Sequence, residues 1–188
     1  MANRTRESAR REANWMEKHV QKKIALLDRD GTMIVDKVYL SDPDEIEFPS
    51  GALEGMRLLR DEGFTLVLVT NQSGIARGFF DEETLERIHR RLRQMLAEQQ
   101  IDIAAIYHCP HGPDEGCDCR KPSPGMVKTA MRDLDFGPDQ AVMIGDSDAD
   151  MGLAKAVGVP GVRIGAGQGC ARDFLEAAAL ACAMLKTD

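Results

Sequence analysis

Ile24-Ala25-Leu26-Leu27-Asp28-Arg29-Asp30-Gly31-Thr32 is the stretch on which the reading of this chain turns. Four apolar residues stop abruptly at two carboxylates separated by one residue, then a glycine and a hydroxyl. The run is too short for an ordinary helix and is bounded by a turn signal, so it reads as a buried strand with charge at its C-terminal tip. Open parallel α/β sheets bind ligands just beyond the carboxyl ends of their strands. Two acids there can share a divalent cation, one attacking an electrophile while the other handles a proton. The alternative is a plain acidic turn, since Asp-Gly is a common turn pair.

The same pattern recurs along the chain. Phe64-Thr65-Leu66-Val67-Leu68-Val69 is a second apolar strand, and it ends in Thr70-Asn71-Gln72-Ser73-Gly74. That tip offers hydroxyls, amides and backbone N–H groups to a phosphate, although an ordinary glycine-containing loop would look similar. Gln140–Ile144 is another strand and ends in Gly145-Asp146-Ser147-Asp148-Ala149-Asp150. A second acidic tip is hard to explain structurally, because clustered carboxylates repel unless a cation lies among them. Asp146, nearest the strand, is the best ligand candidate; Asp150 can support it from the following helix, and Asp148 is expected to be exposed.

Residues 101–107 and 161–164 read as further strands. Helices are expected at 51–62, 81–100, 123–134, 149–157 and 171–185. The clearest is 81–100, where Asp81 can cap the start and Leu85, Ile88, Leu92, Met95 and Leu96 recur at helical spacing. The connections are long enough for helical crossovers, which predicts a parallel sheet. The loop Asp36-Lys37-Val38-Tyr39-Leu40-Ser41-Asp42-Pro43 is expected to lie over the strand tips.

Between the third strand and the 123–134 helix runs His108-Cys109-Pro110-His111-Gly112-Pro113-Asp114-Glu115-Gly116-Cys117-Asp118-Cys119-Arg120-Lys121-Pro122. Cys109 and His111 are two apart, as are Cys117 and Cys119. In extended chain each pair presents two ligands on one face. Three thiolates and one imidazole complete a tetrahedral Zn²⁺ with no open position, which is the pattern of a structural site. His108 is the other imidazole at hand, but it is out of register with Cys109. Arg120 and Lys121 follow directly, so the metal would hold two cations in place; a solvent-exposed basic pair is the alternative. Cys170 and Cys182 are distant and are expected to be ordinary buried thiols.

The composition bounds the function. The chain has 188 residues, 43% hydrophobic and 29% charged, enough for one domain with a substantial core. Its net charge of −7 argues against a general nucleic-acid binder. No apolar run approaches the ~18 residues that span a membrane, and the first residues lack the apolar centre of a secretory signal. Five cysteines, three of them between 109 and 119, suit a reduced compartment and a metal site better than a disulfide framework. These features predict a cytoplasmic protein with neither nucleic-acid nor membrane partners. Residues 1–22, with Arg4, Arg6, Arg10 and Arg11, read as a frayed or helical N-terminal extension, and 23–188 as the domain proper, with its metal loop at 108–122.

Asp28-x-Asp30-Gly31-Thr32, Thr70-Asn71, Lys121 and Gly145-Asp146-x-x-x-Asp150, taken in order, resemble the haloacid dehalogenase (HAD) superfamily of phosphotransferases over about residues 23–165. Asp-Arg-Asp-Gly-Thr, the run from Thr70 to Gly78, and the Cys109-Pro110-His111 and Cys117-Asp118-Cys119-Arg120-Lys121-Pro122 segments are similar to the D-glycero-D-manno-heptose 1,7-bisphosphate 7-phosphatase family. Ile34 stands where that family often has Asn. The resemblance implies an α/β, three-layer Rossmann-like HAD fold with a parallel sheet, a small zinc loop and no large cap domain. It implies Asp28 as nucleophile, Asp30 as general acid/base, and Thr70 and Lys121 on the transferring phosphoryl group. It places Mg²⁺ on the Asp28 side chain, the Asp30 backbone carbonyl and Asp146, with Asp150 in support. It puts Asp36, Lys37, Val38, Tyr39, Asn71, Gln72, Ser73 and Arg120 around a small phosphorylated sugar, in a chain expected to be a monomer. Two other readings stand beside it: a histidinol-phosphate or broad small-phosphate phosphatase, and, in another class, a non-catalytic phosphoacceptor module of the receiver type.

Overall fold

The structure, a computed structural model, describes residues 22–185. The extension expected at 1–22 lies outside the described residues except for Lys22, whose ammonium donates to the Leu134 and Asp135 carbonyls.

Apolar runs form five strands: β1 (Lys23–Leu27), β2 (Phe64–Asn71), β3 (Ile103–Cys109), β4 (Ala141–Gly145) and β5 (Gly161–Arg163). They pair in the order β3-β2-β1-β4-β5, every pair parallel. Among the described residues there are five α-helices: α1 (Ala52–Asp61), α2 (Glu82–Glu98), α3 (Gly125–Leu134), α4 (Asp148–Val157) and α5 (Phe174–Met184).

Alternate strand residues face opposite sides, and the core divides accordingly. Ala25, Leu27, Leu66, Leu68, Val142 and Ile144 pack with residues of α1, α2 and α5, such as Met56, Leu92 and Phe174. Ile24, Leu26, Val67, Val69, Ala141 and Met143 pack with Met126, Val127 and Ala130 of α3 and Leu153 of α4. The result is three layers. Because the central strands are covered on both faces, their sequences read as continuous apolar runs rather than alternations. Ile34, the departure noted above, is fully buried in the first of these cores.

Several boundaries differ from those expected. β2 and β3 each reach two residues further, because Thr70 pairs with His108 and Asn71 with Cys109 in the parallel ladder; a strand tip can turn polar before its hydrogen bonding ends. β3 starts late because Gln100 takes a left-handed φ of 59° and the Ile101 amide still bonds back to Leu96. α3 starts at Gly125, whose amide donates to the Asp118 carbonyl of the metal loop. α5 starts at Phe174, because Ala171 is still bridged to Ile164 and Asp173 caps the helix. Cys170 is half-exposed rather than buried, since it sits in the loop after Gly165, Gly167 and Gly169; Cys182 is buried in α5. No helix among the described residues is long and apolar enough to cross a membrane.

The chain runs outward through β1, β2 and β3, then returns to lay β4 on the other side of β1. The C-terminal tips of β1 and β4 therefore flank the reversal point, the position where open α/β sheets form a crevice.

Candidate active site

Asp28 is the first residue past β1. Its amide donates to the Ile144 carbonyl of β4 at 3.0 Å, so the ladder extends one residue and fixes where the carboxylate begins. Lys121 meets it from the metal loop: its ammonium lies 2.5 Å from Asp28 Oδ1 and 2.7 Å from Asp150 Oδ1, and donates to the Val69 carbonyl at 2.8 Å. Lys121, 4% exposed, thus donates to Asp28 Oδ1 and the Val69 carbonyl and is the counter-charge of Asp150 Oδ1, a buried oxygen left without a hydrogen bond. Burial alone would lower its pKa, but Asp28 and Asp150 reverse the effect and hold it above the ordinary lysine value. Burial pushes Asp28 up to about 7; Lys121 pulls it down and Asp150 pushes it up. Burial, then Asp150, also raises Asp146.

Ligand oxygens of Asp28, Asp146 and Asp150 all lie within 4.8 Å of one another. At that separation two carboxylates repel by on the order of 3–4 kcal/mol at an effective dielectric of 20. Three carboxylates against one lysine ammonium leave two negative charges, the complement of one divalent cation. An all-oxygen donor set suits a hard ion such as Mg²⁺. The surrounding backbone leaves room for these oxygens: Gly31 takes a left-handed φ of 77°, and a Cβ there would stand 2.5 Å from Asp146 Oδ2. Thr32 donates to Asp146 Oδ1 at 3.4 Å. Asp150 is fully buried and also closes the capping box of α4, its Oδ2 accepting from the Ser147 amide at 3.0 Å and hydroxyl at 2.5 Å. Asp148 is 93% exposed and pairs with Arg163.

Asp30 contributes no side-chain oxygen to this cluster. Its carboxylate accepts from Arg29 Nε and Nη2 and, at 2.9 Å, from Gln72 Nε2. The same Gln72 nitrogen donates to the Thr70 hydroxyl at 2.8 Å. Arg29 and its partner His89 were not legible in the sequence: an arginine between two aspartates reads as a solvated charge, and His89 sits on α2 among arginines. The one available signal was the position of His89 next to the buried Ile88.

A cavity of about 160 Å³ opens beside Asp30, walled by Asp36, Val38, Tyr39, Asn71, Gln72 and Ser73. Tyr39 stacks on the exposed Phe79 at 4.3 Å, tying the loop after β1 to the loop before α2. Lys37 does not join this wall; its ammonium pairs with Glu47 at 3.0 Å. Asn71 commits both ends of its amide to the Lys121 backbone, donating to the carbonyl at 3.2 Å and accepting from the amide at 3.0 Å. It therefore clamps the basic loop to the tip of β2 as well as lining the cavity. Arg120 borders a second cavity with Lys121 and donates to the His111 carbonyl at 3.2 Å.

The metal loop brings Cys109, His111, Cys117 and Cys119 together. Cys109 ends β3, and the ligand atoms stand 3.1–3.6 Å apart across the five measured edges, with Nδ1 as the imidazole donor. Tetrahedral zinc with ~2.3 Å bonds to sulfur has edges of roughly 3.8 Å, so the cage fits after slight expansion. His108 points instead to Glu82, 3.0 Å away.

A parallel α/β sheet with an acidic pair at its central tip, a buried lysine and a second acidic tip on the adjacent strand defines a HAD-like hydrolase. Comparisons with known proteins agree: a HAD-hydrolase-like family model matches residues 118–184. A Pseudomonas putida protein named D-glycero-beta-D-manno-heptose-1,7-bisphosphate 7-phosphatase is 42% identical over 148 residues, covering 78% of this chain and 85% of that one. A Photorhabdus laumondii protein named for the alpha anomer is 35% identical over 76% of this chain and 81% of its own. The crystal structure of D,D-heptose 1,7-bisphosphate phosphatase from B. bronchiseptica, complexed with magnesium and phosphate, superposes with a TM-score of 0.76 at 35% identity, over 84% of this chain and 97% of that one. The chain belongs to the D-glycero-D-manno-heptose-1,7-bisphosphate 7-phosphatase family of HAD phosphatases.

Proposed function

We propose that this chain removes the 7-phosphate of D-glycero-D-manno-heptose 1,7-bisphosphate, with the β anomer as the better substrate. The observation that carries the chemistry is the buried Lys121 bridging Asp28 and Asp150 at the tips of β1 and β4. The substrate comes from the relatives: seven named for the β anomer stand at 41–45% identity, and a relative named for the α anomer stands at 35%.

Asp28 attacks phosphorus in line and forms an aspartyl-phosphate as the bond to the sugar oxygen breaks. That oxygen takes a proton from Asp30. Water then attacks the phosphoryl group, Asp30 accepts its proton, and orthophosphate leaves with Asp28 restored. Thr70 and Lys121 hold the transferring phosphoryl oxygens, where stabilising charge is most of the catalysis. Arg120 takes the remaining phosphate, its planar fork suiting that group. Asp36, Val38, Tyr39, Gln72 and Ser73 surround the sugar.

Asp28, the Asp30 carbonyl and Asp146, with Asp150 in support, would hold Mg²⁺, which when bound offsets the repulsion between nucleophile and phosphate. Cys109, His111, Cys117 and Cys119 would hold a structural Zn²⁺. The enzyme is proposed to work as a monomer in the cytoplasm, the reduced compartment that a thiol-rich metal loop suits.

Steady-state kinetics on the β and α heptose bisphosphates and on histidinol phosphate test this reading. The expected order of kcat/KM is β, then α, then histidinol phosphate, the last at least ~10-fold lower. A preference for histidinol phosphate would overturn it.

A further inference from the structure

Arg29 is the largest fully buried side chain, 1% exposed and charged, and no step above uses it. Its Nε and Nη2 grip Asp30, Nη2 also donates to Gln72 Oε1 at 2.9 Å, and Nη1 lies 3.3 Å from His89 Nε2. A guanidinium only donates, so His89 must present a lone pair at Nε2 and carry its proton on Nδ1. With Oε1 of Gln72 held by Arg29, the amide nitrogen faces Asp30 Oδ2 and the Thr70 hydroxyl. A hydroxyl that accepts from Gln72 keeps its own hydrogen for another acceptor. Thr70 is fully buried near the end of β2, and that hydrogen is the one its proposed role requires.

We infer that Arg29, held from behind by His89, is a positioning residue: it orients the Gln72 amide so that the Thr70 hydroxyl donates to the transferring phosphoryl group and Asp30 keeps its place. This rests on the roles of Thr70 and Asp30 proposed above. A buried ion pair that merely packs would matter for folding; a positioning network matters for turnover. Misplacement of a catalytic group by about 1 Å can cost ~10²-fold.

The experiment measures kcat, KM and thermal melting of the full chain on the β heptose bisphosphate for His89→Leu, His89→Gln, Arg29→Lys and Asp28→Asn. His89→Leu removes the acceptor and should lower kcat by about tenfold, with KM within about twofold and little change in melting. His89→Gln offers a neutral acceptor again and should restore most of kcat. Arg29→Lys keeps the charge but loses the fork, and should lower kcat by at least as much as His89→Leu; it decides the matter if His89→Leu does not fold. Wild-type kcat in His89→Leu or Arg29→Lys, or a His89→Gln as slow as His89→Leu, overturns the inference. Asp28→Asn separates the two readings. If it turns over, the proposed chemistry fails; if it is inactive while the Arg29 and His89 variants match wild type, only the positioning role fails.

Discussion

Replacing Asp28 with Asn keeps the shape of the side chain and removes the charge proposed to attack phosphorus. Turnover should fall by at least ~10³-fold, the scale on which members of a catalytic unit fail. Melting should change by only a few degrees, because the change also relieves the repulsion with Asp150. A variant with substantial activity, deamidation having been excluded by mass spectrometry, would remove Asp28 from its role. His89 carries a stability prediction. Burial, then Arg29, His108 and Arg93, depress its pKa from 6.5 to about 3. The unfolded chain therefore binds the proton first on acidification, so this contribution is full above about pH 6.5 and is lost as pH falls towards 3. Between pH 6.5 and 5 the wild type should lose about 1.5 kcal/mol more than His89→Gln, at ~1.4 kcal/mol per unit; equal losses in denaturant titrations would contradict it. At this scale the gathering of Asp28, Asp146 and Asp150 was legible because residue type, spacing and strand context coincide; Lys121 stood out only as half of a basic pair, and the Asp30 side chain lies outside the cluster. Arg29 and His89 were not, because their meaning lies in contacts across 43 to 60 positions of sequence.

The elements divide into those a local signal defines and those a neighbour defines. α2 was legible almost to the residue, since Asp81 accepts from the Thr84 amide and four apolar residues recur on one face. The ends of β2 and β3 were not, because pairing between them, rather than the residues themselves, decides where they stop. The metal loop is the element whose removal tells most. Cys119 directly precedes Arg120 and Lys121, and Asn71 clamps Lys121 from β2. Purified protein should carry about one zinc per chain, as closed four-ligand sites do, and chelation should lower its melting temperature, because a metal held there would contribute folding energy. Cys117→Ser should raise KM and lower kcat together while leaving the Mg²⁺ dependence unchanged. Elemental analysis finding no zinc in folded, active protein would end this assignment.

At the scale of the whole molecule, a parallel three-layer sheet followed from apolar runs separated by helix-length connections. The strand order did not, since nothing local says on which side of β1 the chain will lay β4. That choice matters most for function: it sets Asp146 and Asp150 against Asp28, and so turns two separate acidic tips into one site with two uncompensated charges. Among the described residues no large insertion separates the elements, so the cysteine loop and the loop after β1 frame the site. The most direct measurement is the ³¹P NMR spectrum of D-glycero-β-D-manno-heptose 1,7-bisphosphate during turnover with Mg²⁺. The account predicts loss of the 7-phosphate resonance, growth of orthophosphate and retention of the anomeric phosphate. Loss of the anomeric phosphate first, or no orthophosphate at all, would contradict it.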